Sequence, residues 1–236
     1  MDPAPAPVHD ADSPRLRRPG ARPRTQIERR TEAEARLLLA AREIVSRKGW
    51  VGMTLAEIGQ AAGYSRGLAA HHFGSKPELL RALASYINDN FMHELAAAHK
   101  WRDGLDALLG FIQTYLGRKD PRWINTRALL VLMAEAMTDD SETGEVLAYY
   151  NQNVLDFLKR HFQAGIDAGE IRPDVDPAAA GTLILGSLRG LMLQKLLKNS
   201  AVDLAVVRAQ LLTMVVRSFA RRPATWVARI TVESAE

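Results

Sequence analysis

The 236-residue chain contains no cysteine. That excludes disulfide frameworks, thiol nucleophiles, iron–sulfur clusters and cysteine-based zinc sites, and it fits a reducing compartment. Long apolar runs are missing too. The longest weakly polar stretch, residues 178–188, has 11 residues and ends at Arg189, whereas crossing a bilayer takes about 20. The first residues carry Asp2, Asp10 and Asp12 and no continuous apolar core, so they do not read as a secretory signal. A cytoplasmic protein with no membrane partner is expected. Catalytic wiring is also absent. No glycine-rich phosphate loop follows a strand, His93, His99 and His161 are scattered, and His93-Glu94 lacks the second histidine that a zinc protease helix needs. Neither an enzyme, a cofactor nor a metal site is expected. Sustained two-residue alternation, the mark of strands, is confined to residues 226–232, too short a run to establish one.

What is present is a globular composition, 47% hydrophobic and 25% charged, enough for a sizeable core. The charge is unevenly placed. Residues 1–80 hold 13 Lys/Arg against 9 Asp/Glu, and the remainder holds 18 of each, so the net charge of +4 lies entirely in the first third. An anionic partner such as nucleic acid and a solvated basic tail both satisfy the charge alone. Residues 1–24 contain six of the eleven prolines, together with Arg15, Arg17, Arg18, Arg22 and Arg24. Proline at that density blocks helix and sheet pairing, which predicts a disordered basic arm.

From Thr31 onward the periodicity is helical. Leu37, Ala41, Ile44 and Val45 form one apolar stripe, and Gly49 suits the helix end, which predicts a helix over about 32–48. Thr54 and Glu57 have capping-box spacing ahead of Leu55, Ile58 and Ala62. Gly63 permits a left-handed turn, and Ser65 is placed to cap a second short helix to about His72. Two short helices about a tight glycine turn make a helix-turn-helix pattern. Ser75-Lys76-Pro77-Glu78 opens a long helix to about residue 97. Further helices are expected near 102–117, 121–137, 142–168, 177–198 and 201–221, with Asp176-Pro177 as a helix start and Gly169 as a stop.

Residues 48–80, KGWVGMTLAEIGQAAGYSRGLAAHHFGSKPELL, closely resemble the DNA-binding domain of TetR-type bacterial transcriptional regulators. Gly49, Thr54, the LAEIGQAAG run, Ser65, Gly67, His72-Phe73, Ser75-Lys76 and Leu79-Leu80 carry the match. Beyond about residue 80 the likeness is one of layout. The family commonly has Tyr three residues before the Phe; here that position is Ala70, and Tyr64 is the alternative source of a phosphate-binding hydroxyl. The resemblance implies an all-α fold: an N-terminal three-helix helix-turn-helix DNA-binding domain plus a C-terminal helical ligand-binding and dimerisation domain. The expected division is a basic arm (1–24), the DNA-binding domain (25–80), the ligand-binding and dimerisation domain (81–222) and a tail (223–236).

Candidate DNA-binding residues are Thr54, Tyr64, Ser65, Arg66, Gly67, Leu68, His71, His72 and Lys76. Arg66 stands where helix-turn-helix proteins approach base edges, and arginine can donate two parallel bonds to guanine. Gly67 allows close approach, and Leu68 meets either a thymine methyl or the protein core. His71, His72 and Lys76 are candidate phosphate contacts, while Phe73 reads as core. The resemblance also implies a small-molecule pocket in the body. Its candidate lining is Trp101, Phe111, Tyr115, Trp123, Met133, Met137, Tyr150 and Phe157, with Asn153, His161 and Arg189 as polar anchors, and Tyr149 and Phe162 nearby. For each of these, a place in the core is the competing reading. The last two helices carry leucine-rich faces broken by Gly181, Gly186 and Gly190, and the family layout implies a four-helix homodimer interface there.

The expectation is a homodimeric regulator, a ligand-responsive repressor of a near-palindromic operator. A helical small-molecule-binding or adaptor protein with only non-specific DNA affinity, and a transcriptional activator, remain the alternatives.

Overall fold

The computed structural model describes residues 25–98, 101–118, 120–137 and 142–233. The expected arm, residues 1–24, lies outside them. Among the described residues there are ten α-helices and no strand beyond an isolated bridge between Ile171 and Ala220. None of these helices is long and apolar enough to cross a membrane.

The first helix, α1 (Gln26–Lys48), starts six residues earlier than its apolar stripe indicates. Its opening turns are exposed, so periodicity is silent there. The start is set instead by a capping box: Thr25 accepts from the Glu28 N–H at 3.2 Å, and Glu28 accepts from the Thr25 N–H at 2.7 Å. Gly49, at φ +81, ends the helix. Then come α2 (Leu55–Ala61), α3 (Leu68–Phe73) and α4 (Lys76–Ala98). Leu37, Ala41, Val45, Ile58, Ala69, Leu79 and Leu83 from these four helices are fully enclosed in one cluster.

The body comprises α5 (Leu105–Gly117), α6 (Ile124–Ala136), α7 (Glu142–Asp167), α8 (Pro177–Leu196), α9 (Leu204–Phe219) and α10 (Pro223–Glu233). Aspartates cap both α8 and α9. Asp176 accepts from the N–H groups of Ala178 and Ala179 at 2.8 and 2.9 Å, and Asp203 accepts from those of Ala205 and Val206 at 2.9 and 3.3 Å; such caps contribute about 1 kcal/mol each. The expected tail is corrected here: residues 223–233 are helical, and Trp226 and Val227 pack on the body cluster. Arg229 of α10 reaches the buried Asp106 at 2.6 Å, so an ion pair fixes the helix that weak alternation had left as a tail.

The head's cluster does not close on its own helices. Ala128 and Leu132 of α6 and Val146 and Leu147 of α7 complete it. A second cluster, around Phe91, Phe111, Tyr115, Phe162, Leu188 and Val216, fills the body. Helix α4 belongs to both, with Ile87 in the first and Phe91 in the second.

Candidate nucleic-acid interface and ligand cavity

The outward edge of the head is built by a turn that only particular residues permit. Thr54 caps α2 by accepting from the Glu57 N–H at 3.2 Å. The expected reciprocal bond from Glu57 is replaced by an ion pair between Glu57 and Lys48 of α1. Gly63 takes φ +80, and the Tyr64 N–H donates to the Gly59 carbonyl at 2.8 Å. Gly59 has the stricter requirement: a Cβ there would lie 2.5 Å from the Ser65 carbonyl oxygen. The loop can fold back onto α2 only because that side chain is absent.

Ser65 does not cap α3. It opens a turn in which the Leu68 N–H donates to the Ser65 carbonyl at 3.1 Å, and α3 begins at Leu68 with no side-chain cap. Ser65, Arg66 and Gly67 are therefore an exposed turn leading into the helix, and His71 is exposed one turn on. Among the described residues Arg66 has no hydrogen-bond or ion-pair partner, so its guanidinium fork is open to an incoming group. Leu68 and Tyr64 are half-buried, and Tyr64 packs on the head cluster.

His72 is placed differently from His71. Its side chain is only 8% exposed, its Nε2 lies 3.3 Å from Glu34 of α1, and its ring meets Phe73 edge-on at 4.9 Å. The expected phosphate contact is thereby redirected: His72 braces α3 against α1. Lys76 also turns back. Its ammonium donates to the Val51 carbonyl at 3.1 Å and sits 5.2 Å from the centre of the Trp50 ring. Burial lowers its pKa, opposed by the nearby Glu135 carboxylate. One of its three donors is committed to the loop between α1 and α2.

Glu135, at the end of α6, accepts from the Trp50 N–H at 2.7 Å. Further along the same contact, Arg42 of α1 donates to Asn125 of α6 at 3.0 Å, and Arg122 pairs with Glu43 at 3.5 Å. Arg122 and Trp123 take positive φ values of 62° and 54° just ahead of α6, a conformation that costs non-glycine residues energy and that surrounding contacts must enforce.

The body contains a narrow, mostly enclosed cavity between α4, α5, α6, α7 and α8. Of the expected lining, Phe111, Tyr115, Met133, Tyr150 and Arg189 meet there. The others do not. Asn153 and Phe157 face a shallower depression, Phe157 also meets Trp101 and His161 in an open groove, and Trp123 is half-buried on the body cluster. Met137 is 82% exposed at the end of α6, and Phe162 is fully buried core. Sequence reasoning missed Phe91, Asn88, Leu129, Asn151 and Arg118. Arg118 donates to both carboxylate oxygens of Glu94, 24 residues away, at 2.7 and 3.3 Å. No local spacing rule could have paired them.

The glycines of the last helices divide. A Cβ at Gly181 would stand 3.2 Å from Leu158, so Gly181 serves packing inside the protomer, whereas Gly186 and Gly190 face open space. Ile184, Leu188, Leu211, Leu212 and Val215 belong to the protomer's own core, while Leu183, Leu193, Val206 and Met214 are each more than half exposed.

Comparison with known proteins places these features. Residues 37–83 match the family described as "Bacterial regulatory proteins, tetR family", and residues 102–220 match "BetI-type transcriptional repressor, C-terminal". The HTH-type transcriptional regulatory protein RaaS of Mycobacterium tuberculosis is 31% identical over 149 residues, covering 62% of this chain and 63% of RaaS; the matched stretch thus spans less than two thirds of that relative. The HTH-type transcriptional regulator UidR of Escherichia coli K12 is 27% identical over 166 residues, 69% of this chain and 82% of UidR. Among solved structures, a TetR-family regulator from Rhodococcus sp. superposes with a TM-score of 0.70 at 22% identity, covering 78% of this chain and 97% of that one. AibR, solved with isovaleryl coenzyme A and operator DNA, superposes with a TM-score of 0.62 at 21% identity, covering 77% of this chain and 97% of AibR.

Proposed function

Because the chain belongs to the TetR family of bacterial helix-turn-helix transcriptional regulators, we propose that it works as a homodimeric, ligand-released repressor of a near-palindromic operator. The observation that carries this is the position of the cavity. It lies on the seam between the cluster that includes the DNA-binding head and the cluster that fills the body, and α4 runs through both. A ligand in the seam presses on α4, α6 and α7, and α6 with the turn before it holds the head through Glu135, Asn125 and Arg122. The body thus can bias head placement by a population shift, limited by the ligand's differential affinity for the two placements.

The division of labour follows the chain: residues 25–80 read DNA, and residues 81–222, from within α4 through α9, hold ligand and partner. The open turn at Ser65, Arg66 and Gly67, with His71, supplies contacts to the operator, while Thr54, Tyr64, Leu68 and Lys76 sit behind or beside it; His72 is kept as a brace. The unpartnered face of Leu183, Gly186, Gly190, Leu193, Val206 and Met214 supports pairing of α8 and α9 with a second copy. Two heads would then meet major-groove faces about 34–36 Å apart or a multiple of that. AibR, whose structure holds both an acyl-coenzyme A and operator DNA, and SmeT, described as the repressor of a multidrug efflux pump, support ligand response and repression by analogy.

The test is selection of sites from a random duplex pool by the purified chain at two salt concentrations. The expected result is enrichment of one inverted repeat that survives the higher salt. Binding without enrichment that collapses as salt rises is the behaviour of phosphate attraction alone, and it would refute operator specificity.

A further inference from the structure

The cavity on the seam contains a charge that the protein leaves uncompensated. Arg189 of α8 enters it and donates through Nη1 to the side-chain oxygen of Asn151 on α7. Its Nε is buried without a hydrogen-bond partner. Among the described residues no carboxylate lies within ion-pair distance of it. The other guanidinium at the cavity, Arg118, is satisfied. It forks onto Glu94 and lies over the Phe91 ring at 5.0 Å. Beside Arg189 stands the buried Tyr115 hydroxyl, whose oxygen faces the guanidinium and whose own proton has no acceptor. Burial raises the pKa of that phenol, against the pull of Arg189 and Arg118, so it remains a neutral O–H donor; burial lowers that of Arg189, against the pull of Tyr115, yet a guanidinium stays protonated in proteins. The Arg118–Glu94 pair sums to zero, so the cavity carries one net positive charge and two unused donors.

A buried charge without a counterion is destabilising, and a buried donor without an acceptor adds to that cost. One ligand type relieves both at once. We infer that the cavity, about 50 Å³ in this structure against the roughly 150 Å³ that takes a benzene ring, takes an organic monoanion, a carboxylic acid with a compact apolar body that must part α4 from α6 to enter. Its carboxylate accepts from Arg189 and Tyr115, and its body lies against Phe91, Phe111, Leu129 and Met133. A cationic ligand would meet two guanidinium groups. A neutral one would leave Arg189 as it is, and a dianion would exceed the available charge. This inference rests on the reading of the cavity as the effector site and names the chemistry of its ligand.

The experiment uses the full chain at pH 7.5 and a panel of aryl and straight-chain carboxylic acids, each paired with its primary amide and the corresponding amine. Binding is read by thermal shift and titration calorimetry. Acids are expected to bind at least tenfold more tightly than their amides, and the amines not to bind. Arg189→Met, close in volume and without charge, is expected to lower acid affinity at least tenfold, so that acid and amide converge. Its ligand-free melting temperature should equal or exceed that of the parent, because the uncompensated charge is gone. Should Arg189→Met fail to fold, Tyr115→Phe removes one donor while keeping the ring, and is expected to lower acid affinity several-fold and leave amide affinity unchanged. The inference is overturned if amides match acids, if Arg189→Met or its stand-in retains the full preference, or if no acid in the panel raises the melting temperature at millimolar concentration. Operator release is scored separately. An acid that binds through Arg189 yet leaves the operator complex intact would sink the effector reading while the anion site stands.

Discussion

Gly49 and Glu135 meet at the joint between head and body, and a double-mutant cycle there measures it. Gly49 takes φ +81 and ψ 176, a region essentially reserved for glycine, and a Cβ there would sit 2.2 Å from Glu135 Oε1. Gly49→Ala therefore incurs backbone strain of about 1–3 kcal/mol and displaces the carboxylate. The displaced carboxylate gives up the Trp50 N–H, which it accepts at 2.7 Å; a hydrogen bond to a charged group contributes about 1.5–3 kcal/mol. Gly49→Ala should cost about 2.5–6 kcal/mol in all, and Glu135→Ala about 1.5–3 kcal/mol.

In the double variant the clash and the lost bond are counted once. The two costs should fall short of additivity by about 1.5–3 kcal/mol, well beyond the 0.3–0.5 kcal/mol scatter of independent sites. Glu135→Gln keeps an acceptor and should cost less than Glu135→Ala. The assay is thermal unfolding followed by circular dichroism at one fixed protein concentration. For a chain of this size about 1 kcal/mol moves the melting temperature by roughly 2–4 °C, so every corner of the cycle is resolvable. Additive costs would show that Gly49 is required for its backbone conformation alone and that Glu135 does not hold the head.

Three further outcomes are expected. Arg66→Ala should lower operator affinity and relax the preference at one position of each half-site by about 1–3 kcal/mol; a loss equal across all sequences, read by the same pool selection, would make Arg66 a phosphate contact. Gly186→Val and Gly190→Val should abolish the proposed pairing in analytical ultracentrifugation while leaving the protomer helical, since a Cβ at either glycine meets nothing within 4 Å in the protomer; an unchanged sedimentation coefficient refutes pairing through that face. His161 has its pKa lowered from 6.5, by burial first and by Arg160 in the same direction, against the pull of Asp103. The folded state therefore resists a proton that the unfolded chain accepts, and stability is full above pH 6.5 and falls as pH drops through 6.5 toward the lowered value. His161→Gln should flatten that part of a melting-temperature profile between pH 5 and 8, and an unchanged slope removes His161 as its cause.

The head was legible because its determinants are local. The Thr54 cap acts over three residues and Gly63 within a single turn, and the Leu37, Ala41 and Val45 stripe points at one core. Where local rules failed, a partner distant in sequence had decided. His72 looked like an outward twin of His71 until Glu34, 38 residues earlier, drew it in. Ser65 had the chemistry of a cap, but Gly59 lets its carbonyl close on α2, and two more residues, Arg66 and Gly67, intervene before α3 begins. The early start of α1 was hidden by exposure, since a solvated turn has no apolar period to read. The cavity was the least legible feature. Aromatic residues at helical spacing are the same on paper whether they line a void or fill it. Trp123 and Phe162 fill; Phe111 and Tyr115 line.

The donors that would hold the anion and the apolar lining nearest the head stand on different helices, which separates recognition from response. Arg189 and Tyr115 stand on α8 and α5, whose buried residues belong to the body cluster. Leu129 and Met133 stand on α6, whose other face completes the head cluster through Ala128 and Leu132. A bare anion would engage only the first pair. It would still bear the cost of its own dehydration and lost translational freedom, the latter alone put at 4 kcal/mol or more, and it would touch nothing that moves with the head. An apolar body of about 100 Å² buried against α4 and α6 adds about 2.5 kcal/mol, and that contribution changes when those helices shift. Two effectors per dimer would need to supply about 5.5 kcal/mol between them to carry the heads from 1:99 to 99:1, so about 2.7 kcal/mol of differential contact per site suffices. On the proposed reading the anion would set which molecules are admitted, and the apolar body would do the switching.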